Sequence, residues 1–235
     1  MRSGKQIDIN CDMGEIPALL ADGTQDRLLK HVTSVNISCG AHAGDPATIE
    51  QTIRTAHARH VKIGAHPGYP DPANFGRVAL DMTTAQVADM VFEQLAAFEE
   101  IANRCGAVIA HVKPHGALYN SAVKDRVLAQ AIAGGIARWR PHIPVMGLAG
   151  SLMLDVLREA GFTPLAEAFA DRAYEPDGTL RSRQLPGAMI HDPAVAAAQA
   201  VKLAQSGTVD TICIHSDTRG SIEIAAAVRA ALAAE

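Results

Sequence analysis

Seven short runs of apolar and β-branched residues recur along the chain at roughly even spacing: Gln6–Asn10, Ser34–Ser38, Val61–His66, Ala107–Ala110, Pro144–Leu148, Thr163–Ala166 and Thr211–His215. Their length and composition suit strands. Segments of helical period lie between them. Thr83 and Gln86 read as a capping box, and Val87, Met90, Val91, Leu95, Phe98 and Ile101 follow on one face. Asp45-Pro46 and Asp192-Pro193 each open a helix, to about His60 and Gln205. Aspartate caps the free N–H groups there, and proline tolerates the first helical position. Further helices are expected over Gly23–His31, Val123–Arg138 and Ser151–Ala160, and an alanine-rich one closes the chain. Glu175–Met189 has no period and reads as a long functional loop.

Repeated strand-then-helix units imply a parallel sheet with right-handed crossovers. Neither a linker nor a low-complexity break interrupts them, so a single α/β domain over 1–235 is expected. Seven units without a Gly-x-Gly-x-x-Gly phosphate loop favour a closed or nearly closed, TIM-like (β/α) barrel over an open doubly wound sheet. In such barrels the site is built at the C-terminal ends of the strands. The polar clusters of this chain fall there, unit after unit.

Composition narrows the class. Of 235 residues 48% are hydrophobic, enough for a full core, and a net charge of −4 with scattered basic residues gives no reason to expect nucleic acid. No apolar run approaches the ~20 residues of a membrane helix. The polar start, Met1 to Gln6, shows no secretory signal. Cys11, Cys39, Cys105 and Cys213 form no CxxC pair, which fits a reducing cytoplasm; Cys11, Cys39 and Cys213, in or beside strands, are expected to be buried small groups.

The chemistry is densest at His111-Val-Lys-Pro-His-Gly-Ala-Leu-Tyr119, where a buried strand runs into two histidines and a lysine. Lys113 at the end of such a strand needs a carboxylate partner or a task, and a cation there can stabilise an oxyanion or a phosphoryl group. His115 and Tyr119 follow it. Asp12 and Glu15 flank Gly14 past the first strand, either as helix-start carboxylates or as base or metal ligand. His42 and His66 sit at successive strand exits and could converge with Asp12 on a divalent cation. Glu167, Asp171, Arg172 and Tyr174 mix signs, as in a salt-bridged loop, yet Arg172 would suit a substrate carboxylate. His215 and Asp217 follow the last strand, where either could orient a catalytic group or cap a helix.

These residues resemble the LamB/YcsF family, the A component of 5-oxoprolinase. The matching segments are Asp8-Ile-Asn-Cys-Asp-Met-Gly-Glu15, Asn36-Ile-Ser-Cys-Gly-Ala-His-Ala-Gly-Asp45, Gly64-Ala-His-Pro-Gly-Tyr-Pro-Asp71, Phe75-Gly-Arg77, His111 to Asn120, Glu167-x-Phe-Ala-Asp-Arg-x-Tyr174 and Ile214-His-Ser-Asp217. They run from first strand to last. The resemblance implies ATP-dependent opening of 5-oxo-L-proline to L-glutamate, with ATP-Mg2+ and with the B and C subunits of 5-oxoprolinase as partners. It also implies a seven-unit barrel related to glycoside hydrolases and carbohydrate deacetylases. Asp12, His42 and His66 lie where such deacetylases hold a metal. On this reading Lys113 meets phosphoryl or oxyanion charge, Asp12 or His115 is the base, and Arg77 or Arg172 clamps the ring carboxylate. Tyr119, Glu167, Asp171, His215 and Asp217 would complete the substrate site. No Walker-type loop is present, so an ATP site would be nonstandard or shared. Two other readings remain: a metal-dependent deacetylase or amidase acting alone, and a subunit that delivers substrate without turnover.

Overall fold

Alternation along the strands decides which side chains face the helices and which fill the barrel. The computed structural model describes residues 6–234; most of the polar lead-in, Met1 to Lys5, lies outside the described residues. Its strands are β1 (Asp8–Met13), β2 (Ser34–Ser38), β3 (Lys62–His66), β4 (Ile109–Val112), β5 (Val145–Leu148), β6 (Pro164–Phe169) and β7 (Thr211–His215). All pair in parallel, and β7 returns to β1 to close a seven-stranded barrel. The expected TIM-like α/β barrel is therefore the observed fold.

On β1, Ile9, Cys11 and Met13 point into the apolar layer between strands and helices, as do Val35, Ile37, Ile63, Ala65, Ile212 and Ile214. Helix residues Ile53, Leu95, Phe98, Ile132 and Ile224 meet them there. The other set, Asp8, Asn10 and Asp12 with Ser34, Asn36, His111, Lys113, Glu167 and Thr211, fills the barrel instead. Strands buried on both faces are usually apolar throughout. Here the lumen is polar, and its groups must satisfy one another. Thr211 donates to Asp8 Oδ2 at 2.7 Å and accepts from Asn10 Nδ2 at 2.8 Å. Asn36 Nδ2 donates to Asn10 Oδ1 and Asp12 Oδ1, both at 2.8 Å, and His111 Nε2 donates to Asn36 Oδ1 at 2.7 Å.

The helices follow their start signals. Asp45 caps α3 (Pro46–Ala58), Thr83 and Gln86 form the capping box of α4 (Thr84–Arg104), and Asp192 caps α8 (Pro193–Gln205). Two expectations change. The helix expected over Gly23–His31 shrinks to α2 (Thr24–Leu28), preceded by an unforeseen α1 (Pro17–Ala21) that starts on proline. The helix expected over Val123–Arg138 begins three residues later, as α6 (Arg126–Trp139), and a separate α5 (Gly116–Ala122) precedes it. Asp125 makes the break, because its carboxylate accepts from Val127 N and Leu128 N and so begins a new helix. α7 (Leu152–Glu159) and α9 (Ser221–Ala233) complete the set. Residues 175–189 form no helix, and β-bridges Arg172–Met189 and Tyr174–Leu180 fold the segment back over the barrel. Among the described residues no helix is long and apolar enough to cross a membrane.

One glycine makes the polar lumen possible. A Cβ on Gly64 would stand 2.1 Å from His111 Nε2, so β3 must be bare where the imidazole crosses the barrel. Gly64→Ala is expected to destabilise the fold by roughly 1–3 kcal/mol through overpacking against a hydrogen-bonded ring. Urea unfolding measures this, and an unchanged midpoint would refute the constraint.

Candidate active site

The C-terminal ends of the strands enclose a cavity of about 50 Å³ bordered by Asp12, Glu15, His66, Arg77, Lys113, His115, Tyr119, Arg172, His215 and Asp217. These are ten of the thirteen site residues expected from the sequence. The others, His42, Glu167 and Asp171, stand behind the cavity, each holding a residue that borders it.

Lys113 is the floor. Its Nζ lies 2.9 Å from Asp12 Oδ1, 2.8 Å from Glu167 Oε1, 3.2 Å from Cys213 Sγ and 3.4 Å from Asn10 Oδ1. The Glu167 contact is an ion pair without the alignment of a hydrogen bond. Burial alone would lower the Lys113 pKa, but Asp12 and then Cys213 and Glu167 raise it well above its ordinary value. Burial likewise pushes the Asp12 carboxyl up, and Lys113 and His66 override it, holding Asp12 well below the carboxylate range. Its three ammonium protons already meet Asp12, Cys213 and Asn10, with the Glu167 carboxylate in contact as well. Lys113 therefore organises two carboxylates and offers little free charge to an incoming anion.

Four imidazole and carboxylate groups gather beside it. His66 Nδ1 donates to Lys113 O at 2.6 Å, and His115 Nε2 donates to Phe75 O at 2.8 Å. Their other nitrogens, His66 Nε2 and His115 Nδ1, are 2.9 Å apart. Glu15 Oε1 is 3.2 Å from His115 Nδ1 and 3.8 Å from His66 Nε2, while His42 Nε2 donates to it at 3.0 Å. Burial lowers the His42 pKa to about 4 despite that bond, so the ring is neutral near pH 7. The adjacent His115 ring and the bond from His42 overcome burial and hold Glu15 far below the carboxylate range. The His42 and His115 rings stack at 3.8 Å and 3°. Backbone without side chains makes room for them: a Cβ on Gly68 would lie 2.8 Å from His42 Nδ1, and one on Gly76 2.8 Å from His42 Cβ. Gln94 on α4 holds the Gly68 peptide, accepting from its N at 3.0 Å and donating to its O at 2.8 Å.

The expected cation set of Asp12, His42 and His66 is thus redistributed. His42 joins Glu15 and His115, and Asp12 groups with Cys213 and His215. His66 stands between, 3.5 Å from Asp12 Oδ2.

The opposite wall is built by β6 and β7. His215 Nδ1 donates to Asp171, 2.9 and 3.1 Å from its two oxygens, and Asp171 also accepts from His215 N at 3.0 Å and Thr218 Oγ1 at 2.6 Å. Burial raises the Asp171 carboxyl, yet His215 and Thr218 hold it below its ordinary value. His215 stacks on Phe169 and borders the cavity, with Nδ1 committed to Asp171. Arg172 donates from Nη2 to Arg181 O at 2.6 Å, but its buried Nε has no hydrogen-bond partner among the described residues. Burial and the neighbouring Arg183 lower its pKa to about 10, so the guanidinium stays charged. Arg77 and Arg183 both reach Asp217 Oδ2, at 2.6 and 3.2 Å, which links the loops after β3, β6 and β7 across the mouth. The Tyr119 hydroxyl is buried near Glu167, with no aligned hydrogen bond among the described residues. Beyond Arg172 a larger hollow of about 450 Å³ opens, walled by Arg77, Lys124, Arg172, Arg181 and Arg183, with no carboxylate among the described residues that line it.

Asn10, Asn36 and His111 carry this site from below, a role that sequence reasoning did not give them. Polar residues two apart within Asp8-Ile-Asn-Cys-Asp12 and Ser34-Val-Asn-Ile-Ser38 are the signal that marks them.

The match of the LamB/YcsF family model over residues 7–235 decides the relationship. The chain belongs to the LamB/YcsF family. It is 44% identical to a Chloroflexus aggregans protein named as the A subunit of 5-oxoprolinase, over 97% of this chain and 95% of that one. Its identity to a Pyrococcus furiosus protein of the same name is 39%, over 98% and 95%. A crystal structure described as a lactam utilization protein from Thermus thermophilus superposes with a TM-score of 0.88 at 36% identity, covering 97% of this chain and 96% of that chain.

Two expectations about this LamB/YcsF chain are measurable. Lys113→Met leaves Asp12 and Glu167 as uncompensated buried charges and should cost roughly 3–5 kcal/mol in urea unfolding; a loss under about 1 kcal/mol would remove Lys113 from the centre of the site. The second concerns acid. Burial lowers the His111 pKa to about 4, against about 6.5 unfolded. Between these values the unfolded chain binds the extra proton, so stability rises with pH across about 4 to 6.5 and is lost on acidification. His111→Gln should flatten that slope in unfolding measured at about pH 4.5 and 7, and an unchanged slope would exclude His111 as its source.

Proposed function

We propose that this chain is the A subunit of an ATP-dependent 5-oxoprolinase, opening 5-oxo-L-proline to L-glutamate together with the B and C subunits in the cytoplasm. The names borne by its relatives support this reading, and one geometric observation carries it. A histidine oriented by a buried aspartate faces the same small cavity as a buried arginine whose Nε lacks a partner among the described residues. That pairs a hydrolytic base with an anion clamp, as a cyclic amide bearing one carboxylate requires.

The five-membered lactam is an unactivated amide, slow to hydrolyse. Transfer of the γ-phosphoryl group of ATP to the amide oxygen releases ADP and makes the ring carbon electrophilic. Water adds to that carbon, its proton passing to His215 Nε2. The ring C–N bond then breaks with proton return to the amine. A second water cleaves the resulting acyl phosphate, yielding glutamate and phosphate. His215 suits the base better than Asp12, whose charge Lys113 stabilises; Asp171 fixes its tautomer and stabilises the imidazolium that forms. Arg172 would hold the ring carboxylate in bidentate fashion. Arg77, already bound to Asp217, belongs to the mouth. The arginine-walled hollow offers a place for the phosphates of ATP-Mg2+, in keeping with the lack of a Walker loop.

The test is glutamate release from 5-oxoproline, with and without ATP-Mg2+, by this chain alone and with both partner subunits. ATP-dependent glutamate only in the full mixture is expected, with His215→Asn lowering kcat by about 10²–10⁴-fold. Glutamate released by the chain alone without ATP would overturn the reading in favour of a stand-alone amidase. Tight 5-oxoproline binding with no turnover in any mixture would favour substrate delivery.

A further inference from the structure

The geometry points to a divalent cation site formed by Glu15, His66 and His115, with Asp12 Oδ2 at its edge, on the β1–β4 side of the cavity. The inference holds whichever step of ring opening the chain performs.

Hydrogen-bond bookkeeping carries it. A backbone carbonyl can only accept, so His66 Nδ1 and His115 Nε2 both bear hydrogens, fixed on Lys113 O and Phe75 O. In neutral rings the remaining nitrogens then hold lone pairs, and these face each other at 2.9 Å. Glu15 Oε1 completes a triangle, 3.2 and 3.8 Å from the two nitrogens. Asp12 Oδ2 comes within 3.5 Å of His66 Nε2. Lone pairs converging away from water repel unless something positive lies among them. One proton can satisfy one N–H···N line, whereas a cation among the two rings, Glu15 Oε1 and Asp12 Oδ2 would meet all four, in addition to the bonds Glu15 accepts from His42 and Asp12 from Lys113 and Asn36. Ligand atoms about 2.0–2.1 Å from a tetrahedral ion are about 3.3 Å from one another, and the observed separations bracket that value.

The surroundings are those of a ligand set. Both imidazoles have their second nitrogen fixed on backbone carbonyl, the usual support for a metal-binding histidine. His42 donates to Glu15 and fixes its carboxylate. Gly68 and Gly76 leave no space for a side chain beside the rings. By contrast, the grouping of Asp12, Cys213 and His215 already contains a cation, the Lys113 ammonium, 2.9 Å from Asp12 and 3.2 Å from Cys213. Two imidazoles among the donors favour zinc, manganese, cobalt or iron over magnesium and calcium, which prefer oxygen alone.

The experiment uses the full chain, stripped with chelator and titrated with Co2+ and Zn2+ by calorimetry and visible absorption. One equivalent of Co2+ is expected to bind, with ligand-field bands and no thiolate charge-transfer band. Cys213→Ala should bind as the wild type does, whereas His115→Ala should bind on the order of 100-fold more weakly or worse. His42→Ala should bind about 10–100-fold more weakly, as for loss of a residue supporting a ligand. Circular dichroism confirms that each variant is folded. Failure of the folded wild-type chain to bind Co2+ or Zn2+ would overturn the site and leave a shared proton between His66 and His115. A thiolate band lost in Cys213→Ala would overturn it in favour of the other grouping.

Discussion

The ion pair of Lys113 with Asp12 and Glu167 is the contact on which the top of the barrel depends. It joins the ends of β4, β1 and β6 across the lumen, where no backbone hydrogen bond can. Placing three charges in a dry interior is expensive, and attraction repays that cost only when the geometry is close and the remaining polar groups are satisfied. Asn36 supplies a further hydrogen bond to Asp12, Asn10 accepts from Asn36 and Lys113, and the two amides are anchored in turn by His111 and Thr211. An apolar lumen would be easier to stabilise. The polar one fixes where each side chain at the strand ends can point, and in the proposed reaction that is its use.

Bare backbone is concentrated around the same place. Gly64 admits His111, while Gly68 and Gly76 admit the His42–His115 stack. Gly44 is bare because a Cβ would meet the carbonyl of Gly14 at 2.2 Å. Each of these glycines is a close approach of backbone to a ring or to another loop. The loops after β1, β2, β3 and β4 are therefore packed on one another rather than resting separately on the barrel.

Much of this was legible in the sequence, for identifiable reasons. The strand-and-helix count is visible because most helices announce themselves by an aspartate, proline or capping box, and most strands by β-branched residues. Strand ends were harder to place. Asp12 and Glu167 look like exits because they are charged, yet both lie within strands, since a polar lumen accepts them. The same feature hid Asn10, Asn36 and His111. Pairing was illegible altogether. Barrel register sets Asp12 opposite His215 in the sheet, but the carboxylate that holds His215 is Asp171, brought over by the turn after β6. Which histidine meets which carboxylate follows from these crossings, and spacing along the chain does not encode them.

The cavity has two chemically distinct sides, and this asymmetry orients any ligand. Carboxylates and imidazoles from β1 to β4 make one wall, and Arg172 and Arg183, both after β6, make the other. An anionic group placed against Glu15 would meet like charge, whereas against Arg172 it would pair with an Nε that no other described residue satisfies. In the proposed reaction a small cyclic amide carrying one carboxylate would then enter in one sense only, with the carboxylate toward Arg172. His215 stands on the arginine side, held by Asp171 and stacked on Phe169, so the proposed base and the proposed clamp belong to the same wall. The Arg172 guanidinium is further pinned by its Nη2 bond to Arg181 O. That is the condition under which one histidine can address one carbon of a bound ring.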